Sequence, residues 1–223
     1  MIEAPKEPVP VFPLPGFVLF PHTAVPLHVF EVRYRALVRE ALCGERLIAL
    51  AMLKPGWEHD YHGSPEFYRL GCLARFEDVE WLPNDCYDLR LLGISRVRFE
   101  RVVREFPFRS ARVQMLPSDP YIEDDPLVRI ERRALLDACV RWAGAEEQPG
   151  EVRPAATFGE ELGYEPLVNA VCMGLAVAPR ARLDLLAIDS VIDRGHRARE
   201  LIERRLRARP TKGTTGGGGG ELN

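Results

Sequence analysis

An α+β fold is what this sequence predicts, a β-rich half leading into an all-helical half. Three observations carry that expectation. The stretch from Val9 to Tyr34 mixes Pro10, Pro13, Pro15, Pro21 and Pro26 with large apolar residues. Continuous or alternating apolar runs, broken by turn residues, fill positions 46–116. From Pro117-Ser-Asp-Pro120 onward the apolar residues recur at helical spacing instead.

The prolines of the opening stretch withhold backbone donors at close intervals, which excludes a helix or a long central strand. Val9, Val11, Phe12, Leu14, Phe17, Val18, Leu19 and Phe20 are too apolar for a solvated loop. Short extended pieces over a shared core, with prolines at edges and corners, satisfy both demands. Phe30 to Tyr34 then opens a helix with an apolar stripe of Val32, Leu37, Val38, Ala41 and Leu42. Arg46 to Leu53 reads as a strand, so continuously apolar that both faces should be covered. Lys54-Pro-Gly56 ends it, and Trp57 to Pro65 is a polar and aromatic loop. Tyr68 to Trp81 carries another strand, with Gly71 at a bulge or close contact, and Leu82-Pro-Asn-Asp85 turns it into a hairpin. Within Cys86 to Glu100 the alternation predicts a half-buried antiparallel pair joined near Gly93, and Arg109 to Leu116 adds one strand more.

In the second half, Pro126 suits a first helical turn, and Leu127, Ile130, Leu135, Ala138 and Trp142 follow at helix spacing. An acidic break spans 144–154, and helices resume over 166–176 and 180–187. Asp189-Ser190 can cap a last helix with the stripe Val191, Ile192, Gly195, Ala198, Ile202 and Leu206. Its outer face should pair Glu200 with Arg204 and Glu203 with Arg207. The glycine-rich end cannot bury apolar surface and is expected to be disordered. The expected organisation is therefore a β-rich part over 1–118, a helical part over 119–210 and a tail over 211–223.

Composition narrows the function classes. A chain of 223 residues with 46% hydrophobic and 28% charged residues is ordinarily globular. A net charge of −3 and a pI near 6.0 make no global electrostatic case for nucleic acid. The first residues have no apolar core of a signal peptide, and the longest apolar run, Ala170 to Ala178, is about half of the ~20 residues a membrane span needs. Cys43, Cys72, Cys86, Cys139 and Cys172 form no Cys-x-x-Cys pair and read as small hydrophobes in a reducing compartment, so a cytoplasmic location is expected.

The order PVFPLPGFVLFPHTAVPLHVFEVRYRALV resembles the opening of the Lon protease N-terminal domain family, found at the front of Lon proteases and as stand-alone bacterial proteins. The likeness continues through Ile48–Leu53, Gly71–Phe76, Leu92-Gly93-x-x-Arg96-x-Arg98-Phe99, Pro107–Arg109 and Val113–Pro117, with a fainter helical match from Leu167 to Leu206. It implies a PUA-like β pseudo-barrel with an inserted helix, followed by a C-terminal helical bundle. It also implies substrate recognition for a peptidase of the Lon type. Phe30, Arg33 and Tyr34 match the family's most recognisable motif. They read as structural, Phe30 pinning the helix to the sheet and Arg33 and Tyr34 satisfying loop carbonyls. Gly93 is structural in the same sense.

Lon cleaves proteins with a Ser-Lys dyad driven by an ATPase, and this sequence supplies neither signature. No Gly-x-x-x-x-Gly-Lys-Ser/Thr occurs. Lysines stand only at 6, 54 and 212, and the β-rich part offers serines at 64, 95 and 110. No catalytic residue and no cofactor are expected. His59 and His62 could bind zinc with Cys72 or Cys86, but no second close pair accompanies them, so no metal is expected. Arg96, Arg98, Arg101 and Arg104 make a basic strip that suits RNA, yet Glu100 and Glu105 interleave with it. The apolar candidate is stronger. Phe17, Phe20, Trp57, Tyr61, Phe67, Tyr68 and Trp81 lie in or beside turns, where rigid aromatics can hold exposed hydrophobic segments. The expected function is a non-catalytic peptide-binding module for unfolded segments or a protease or adaptor partner. The alternatives are an RNA-binding PUA-like module and a hydrolase of unknown type.

Overall fold

The apolar run before Lys54 becomes strand β3 (Leu47–Leu53), and it is buried on both faces as its composition demands. Ala49 and Ala51 pack on one face with Val11, Leu73, Val97 and Phe99. Ile48 and Leu50 pack on the other, beneath Tyr34, Leu37, Val38 and Ala41 of helix α1 (Val32–Cys43). The computed structural model describes residues 4–61, 63–145 and 162–208; the 211–223 tail lies outside them. Around β3 stand β1 (Val9–Leu14), β2 (Ala24–Val29), β4 (Phe67–Leu82), β5 (Cys86–Arg104) and β6 (Ser110–Leu116).

The sheet order is β2-β5-β4-β3-β1-β6, and β5 also pairs with β6. The series β5-β4-β3-β1-β6 therefore returns on itself, with β2 added along β5. Pro26 lies on this outer strand, where a missing donor costs nothing. Pro10 and Pro13 sit inside β1, between β3 and β6, rather than at an edge or corner. That is tolerable because Pro13 lies beyond the β6 pairing, which covers only Val9 and Pro10, and Pro10 precedes the β3 pairing, which begins at Val11.

Three expectations fail for reasons of packing. Cys86 to Glu100 is not a hairpin but part of one 19-residue strand running straight through Gly93. There the β1–β2 loop docks on the strand: His22 N–H donates to the Gly93 carbonyl at 2.8 Å and Gly93 N–H to the Thr23 carbonyl at 2.9 Å. A Cβ on Gly93 would stand 2.2 Å from the Phe20 carbonyl oxygen, so the close approach requires glycine. Val32 faces solvent because α1 turns its Tyr34 and Leu37 side to the sheet. In α2 (Pro126–Ala145) Leu127 and Ile130 are exposed, while Val128, Leu135, Ala138, Cys139 and Trp142 are buried, a stripe rotated from the expected one.

Helices α3 (Tyr164–Gly174), α4 (Pro179–Leu186) and α5 (Val191–Ala208) complete the chain, and α5 packs against α2, α3 and α4. Ser190 Oγ accepts from Asp193 N–H at 3.2 Å, the expected cap of α5. Glu200 pairs with Arg197 and His196, and Glu203 with Arg199 and Arg141, instead of the expected partners one turn further on.

The helices are joined to the sheet by two buried arginines. Arg96 on β5 is 1% exposed, which removes it from the surface strip foreseen for residues 96–104. It donates to the carbonyls of Leu186, Ile188 and Pro117 at 2.9–3.1 Å and pairs with Asp189 at 2.8 Å. Arg194 on α5 donates to the Ile188 carbonyl at 2.7 Å and to Asn169 Oδ1 at 2.6 Å, with Glu165 at 3.6 Å.

Changing Arg96 to Gln leaves buried carbonyls without donors and should cost on the order of 2–4 kcal/mol in urea unfolding. Arg98→Gln, on the same face but exposed, should stay within about 0.5 kcal/mol. Equal costs would refute the buried-hub role.

Candidate functional site

After Gly56, at φ +88°, residues Trp57–Asp60 make a single 3₁₀ turn. Trp57 meets Tyr61 edge-on at 5.4 Å. The Tyr61 hydroxyl donates to the Glu31 carboxylate at 2.6 Å. Arg33 donates to the same carboxylate at 3.1 Å and stacks over the Tyr61 and Tyr34 rings. This loop is therefore stapled to the start of α1 by one acid, one base and two phenols.

The structure reassigns the expected motif roles. Arg33 stacks and pairs, and Tyr34 packs edge-on against Phe12 at 4.3 Å. The carbonyl of Pro65 is served instead by Arg109, at 2.5 Å, which lies over the Phe67 ring. Phe30 is 62% exposed and stacked on His28, so it does not pin α1 to the sheet.

Facing the loop is the β5–β6 turn, with a cis Phe106–Pro107 bond. Phe106 is 71% exposed. Two clefts open beside this turn and share Glu105 and Arg109. The smaller, about 150 Å³, is lined by Arg33, Tyr34, Gly63 and Phe106. The larger, about 430 Å³, has Phe67 and Phe99 with Lys54, Glu66, Arg69 and Arg101. Ser64 Oγ donates to Glu105 at 3.1 Å and links the two rims.

The expected aromatics do not converge on one groove. Trp57 and Tyr61 are together and half-buried. Phe20 is fully buried between β3 and the helices, so it belongs to the core and not to a recognition surface. Phe17 is half-buried against the α1 side of the sheet. Trp81, 69% exposed, stands at the β4–β5 turn, where its Nε1 donates to Asp85, itself gripped by Arg35 and Arg39. The sequence marked Arg101 only as part of a basic strip, and it did not mark Phe106 or Arg69.

Lys54 is engaged by Glu66 and Ser64 by Glu105, although both line the larger cleft. Burial pushes the Cys72, Cys139 and Cys172 thiols up to about 12, so none is a thiolate at neutral pH. Among the described residues no three metal-ligating side chains gather at one point, and His62 lies outside them. No described helix is long and apolar enough to cross a membrane.

The family model of the ATP-dependent protease La (LON) substrate-binding domain matches residues 8–204. A Lon protease of Anaeromyxobacter dehalogenans is 28% identical over 127 residues, 57% of this chain but 15% of that protein. A Lon protease of Parabacteroides distasonis is 22% identical over 204 residues, 91% of this chain and 24% of that protein. The chain thus spans a small fraction of these relatives. Its fold is similar to that of a Lon N-terminal domain protein from Xanthomonas campestris, with TM-score 0.60 and 23% identity, covering 92% of this chain and 99% of that one. It is also similar to the N-terminal domain of a Mycobacterium avium complex Lon protease, with TM-score 0.61 and 15% identity, covering 88% and 98%.

The site's phenols have a pH signature. Burial pushes Tyr34 up to about 12, and the bond to Glu31 raises Tyr61. Because the folded pKa of Tyr34 exceeds its unfolded value, its contribution is complete below pH ~10 and is lost as pH rises toward 12. Unfolding free energy should hold up to about pH 10 and then decline, and Tyr34→Phe should remove one phenolate absorbance component near pH 12. Titration of Tyr34 at its ordinary value would contradict the burial described.

Proposed function

This chain belongs to the ATP-dependent protease La (LON) substrate-binding domain family, and on that premise we propose that it is a non-catalytic module that binds unfolded or exposed hydrophobic protein segments. The observation that carries the reading is a pair of adjoining clefts lined by aromatic rings, Phe67 and Phe99 in the larger and Tyr34 and the exposed Phe106 in the smaller, whose walls hold both signs of charge. Aromatic rings on tethered loops offer apolar contact with little side-chain entropy to lose. Mixed charges on the walls favour no single sequence.

In this reading the β-rich part, residues 1–118, is a PUA-like pseudo-barrel that presents the site. The helical part, 119–210, is a C-terminal bundle that braces it. A cytoplasmic location fits the five free cysteines. The partner is a client segment, with a protease or adaptor acting downstream of capture. The RNA alternative is weakened by the burial of Arg96, which leaves the arginine strip shorter and interrupted by Glu100 and Glu105.

The purified protein should hydrolyse no ATP and degrade no casein. It should retain reduced, carboxymethylated α-lactalbumin, a permanently unfolded protein. Phe106→Ala should weaken that capture at least about fivefold, an ordinary hot-spot effect, and move Tm by less than about 2 °C. Capture should change less than about twofold between low and physiological salt, since apolar contact releases few counterions. A steep salt slope with RNA as the retained partner would replace this reading by the nucleic-acid one.

A further inference from the structure

The larger cleft exists because two strands part company. β4 and β5 are paired from Leu82↔Cys86 to Leu70↔Arg98, and there the pairing stops. Phe67 to Arg69 of β4 continue without a β5 partner, held on their other side by the β3 pair Leu53↔Phe67. Phe99 to Arg104 of β5 also continue, held on their other side by β6 through Phe99↔Val113, Val102↔Ala111 and Arg104↔Ser110. Two open strand edges therefore look at each other across the 430 Å³ cleft, and among the described residues no strand fills it.

We infer that this gap is a strand-addition site, in which an extended segment of an unfolded protein lies between β4 residues 67–69 and β5 residues 99–104. Open edges supply main-chain donors and acceptors that read an extended backbone and not its side chains. The floor is apolar: Phe67 and Phe99 meet edge-on at 5.0 Å, so one inward client side chain finds aromatic contact. The lips carry Arg69 and Arg101 against Glu66 and Glu100, all exposed, which accommodates outward client residues of either sign. Strand pairing inside a sheet that otherwise closes gives the segment two neighbours, where an outer edge such as β2 gives one.

This inference rests on the segment-binding reading above and specifies how the segment is held. Its test is amide hydrogen exchange on the full chain, with and without reduced, carboxymethylated α-lactalbumin. Exchange in 67–69 and 99–104 should slow at least about tenfold on binding, as it does when edge amides enter a ladder. Ser64→Trp, which places an indole in the cleft wall, should reduce capture at least about tenfold. Should that variant not fold, a peptide from the same unfolded protein, N-methylated at alternate amides, should compete with it for the unmodified chain at least about tenfold more weakly than its unmethylated form. Protection confined to 57–61 and 105–108, or equal competition by the methylated peptide, would overturn strand addition and leave the segment-binding function standing. No capture of the unfolded protein at all would overturn both. Protection of the same edges that grows with protein concentration alone, or appears with an oligonucleotide, would assign the gap to a second copy or to RNA and overturn the inference.

Discussion

Two guanidinium groups hold this molecule in register with itself. Arg96 projects from the middle of the sheet and Arg194 from the last helix, and both donate to the carbonyl of Ile188. Between them they collect the segment leaving β6 at Pro117, the α4–α5 connection and the side chain of Asn169 on α3. Burial pushes the Arg194 pKa down, helped by the nearby charge of Arg96, and Glu165 offsets part of that cost. Two like charges in the interior are tolerable only because nearly every donor faces a carbonyl or carboxylate. Hydrophobic contacts could hold the helices against the sheet in many orientations, but five directional donors per guanidinium permit few.

The same constraint reaches the site through the strand that carries Arg96. β5 must present Arg96 to the helical loops and, three residues earlier, Gly93 to the β1–β2 loop. A second glycine, Gly71 on β4, brings the Leu50 carbonyl and the Phe99 ring so near that a Cβ would stand 2.2 Å from the oxygen. Over Arg96 to Arg98 β5 pairs with β4 and β6 at once, and beyond Arg98 it keeps only β6. The larger cleft lies where the β4 pairing ends. Its neighbour is built differently, by the Glu31–Arg33–Tyr61 staple that holds the 57–61 loop against α1.

The proposed capture of unfolded segments asks for such an arrangement. Exposed rings and open backbone edges must stay unpaired in the free protein, which invites collapse or aggregation unless the scaffold beneath is rigid. Here rigidity comes from the doubly buried β3, the arginine hub and the α1 staple. What remains exposed at the clefts is short, lipped by charges of both signs, and interrupted by the Phe106–Pro107 turn.

Much of the fold was legible in the residues alone. The period change after Pro117, the doubly covered β3, the Pro-Asn-Asp turn and the Ser190 cap follow from local chemistry, and the opening proline pattern led to the right family. The candidate site was legible only in part, because exposure depends on what the rest of the chain brings to each position. Phe20 and Trp81 are both aromatics beside turns; the helices cover the first and nothing described covers the second. Arg96 and Arg98 are the same residue type on the same face of one strand, and alternation treats them alike. The sequence determined that both lie on the face opposite Val97 and Phe99. Only the docking of residues 117 and 186–189 over one of them decided which arginine is a buried support and which is solvated surface, because a side chain's partners across some 90 residues of sequence are set by packing and not by its neighbours along the chain.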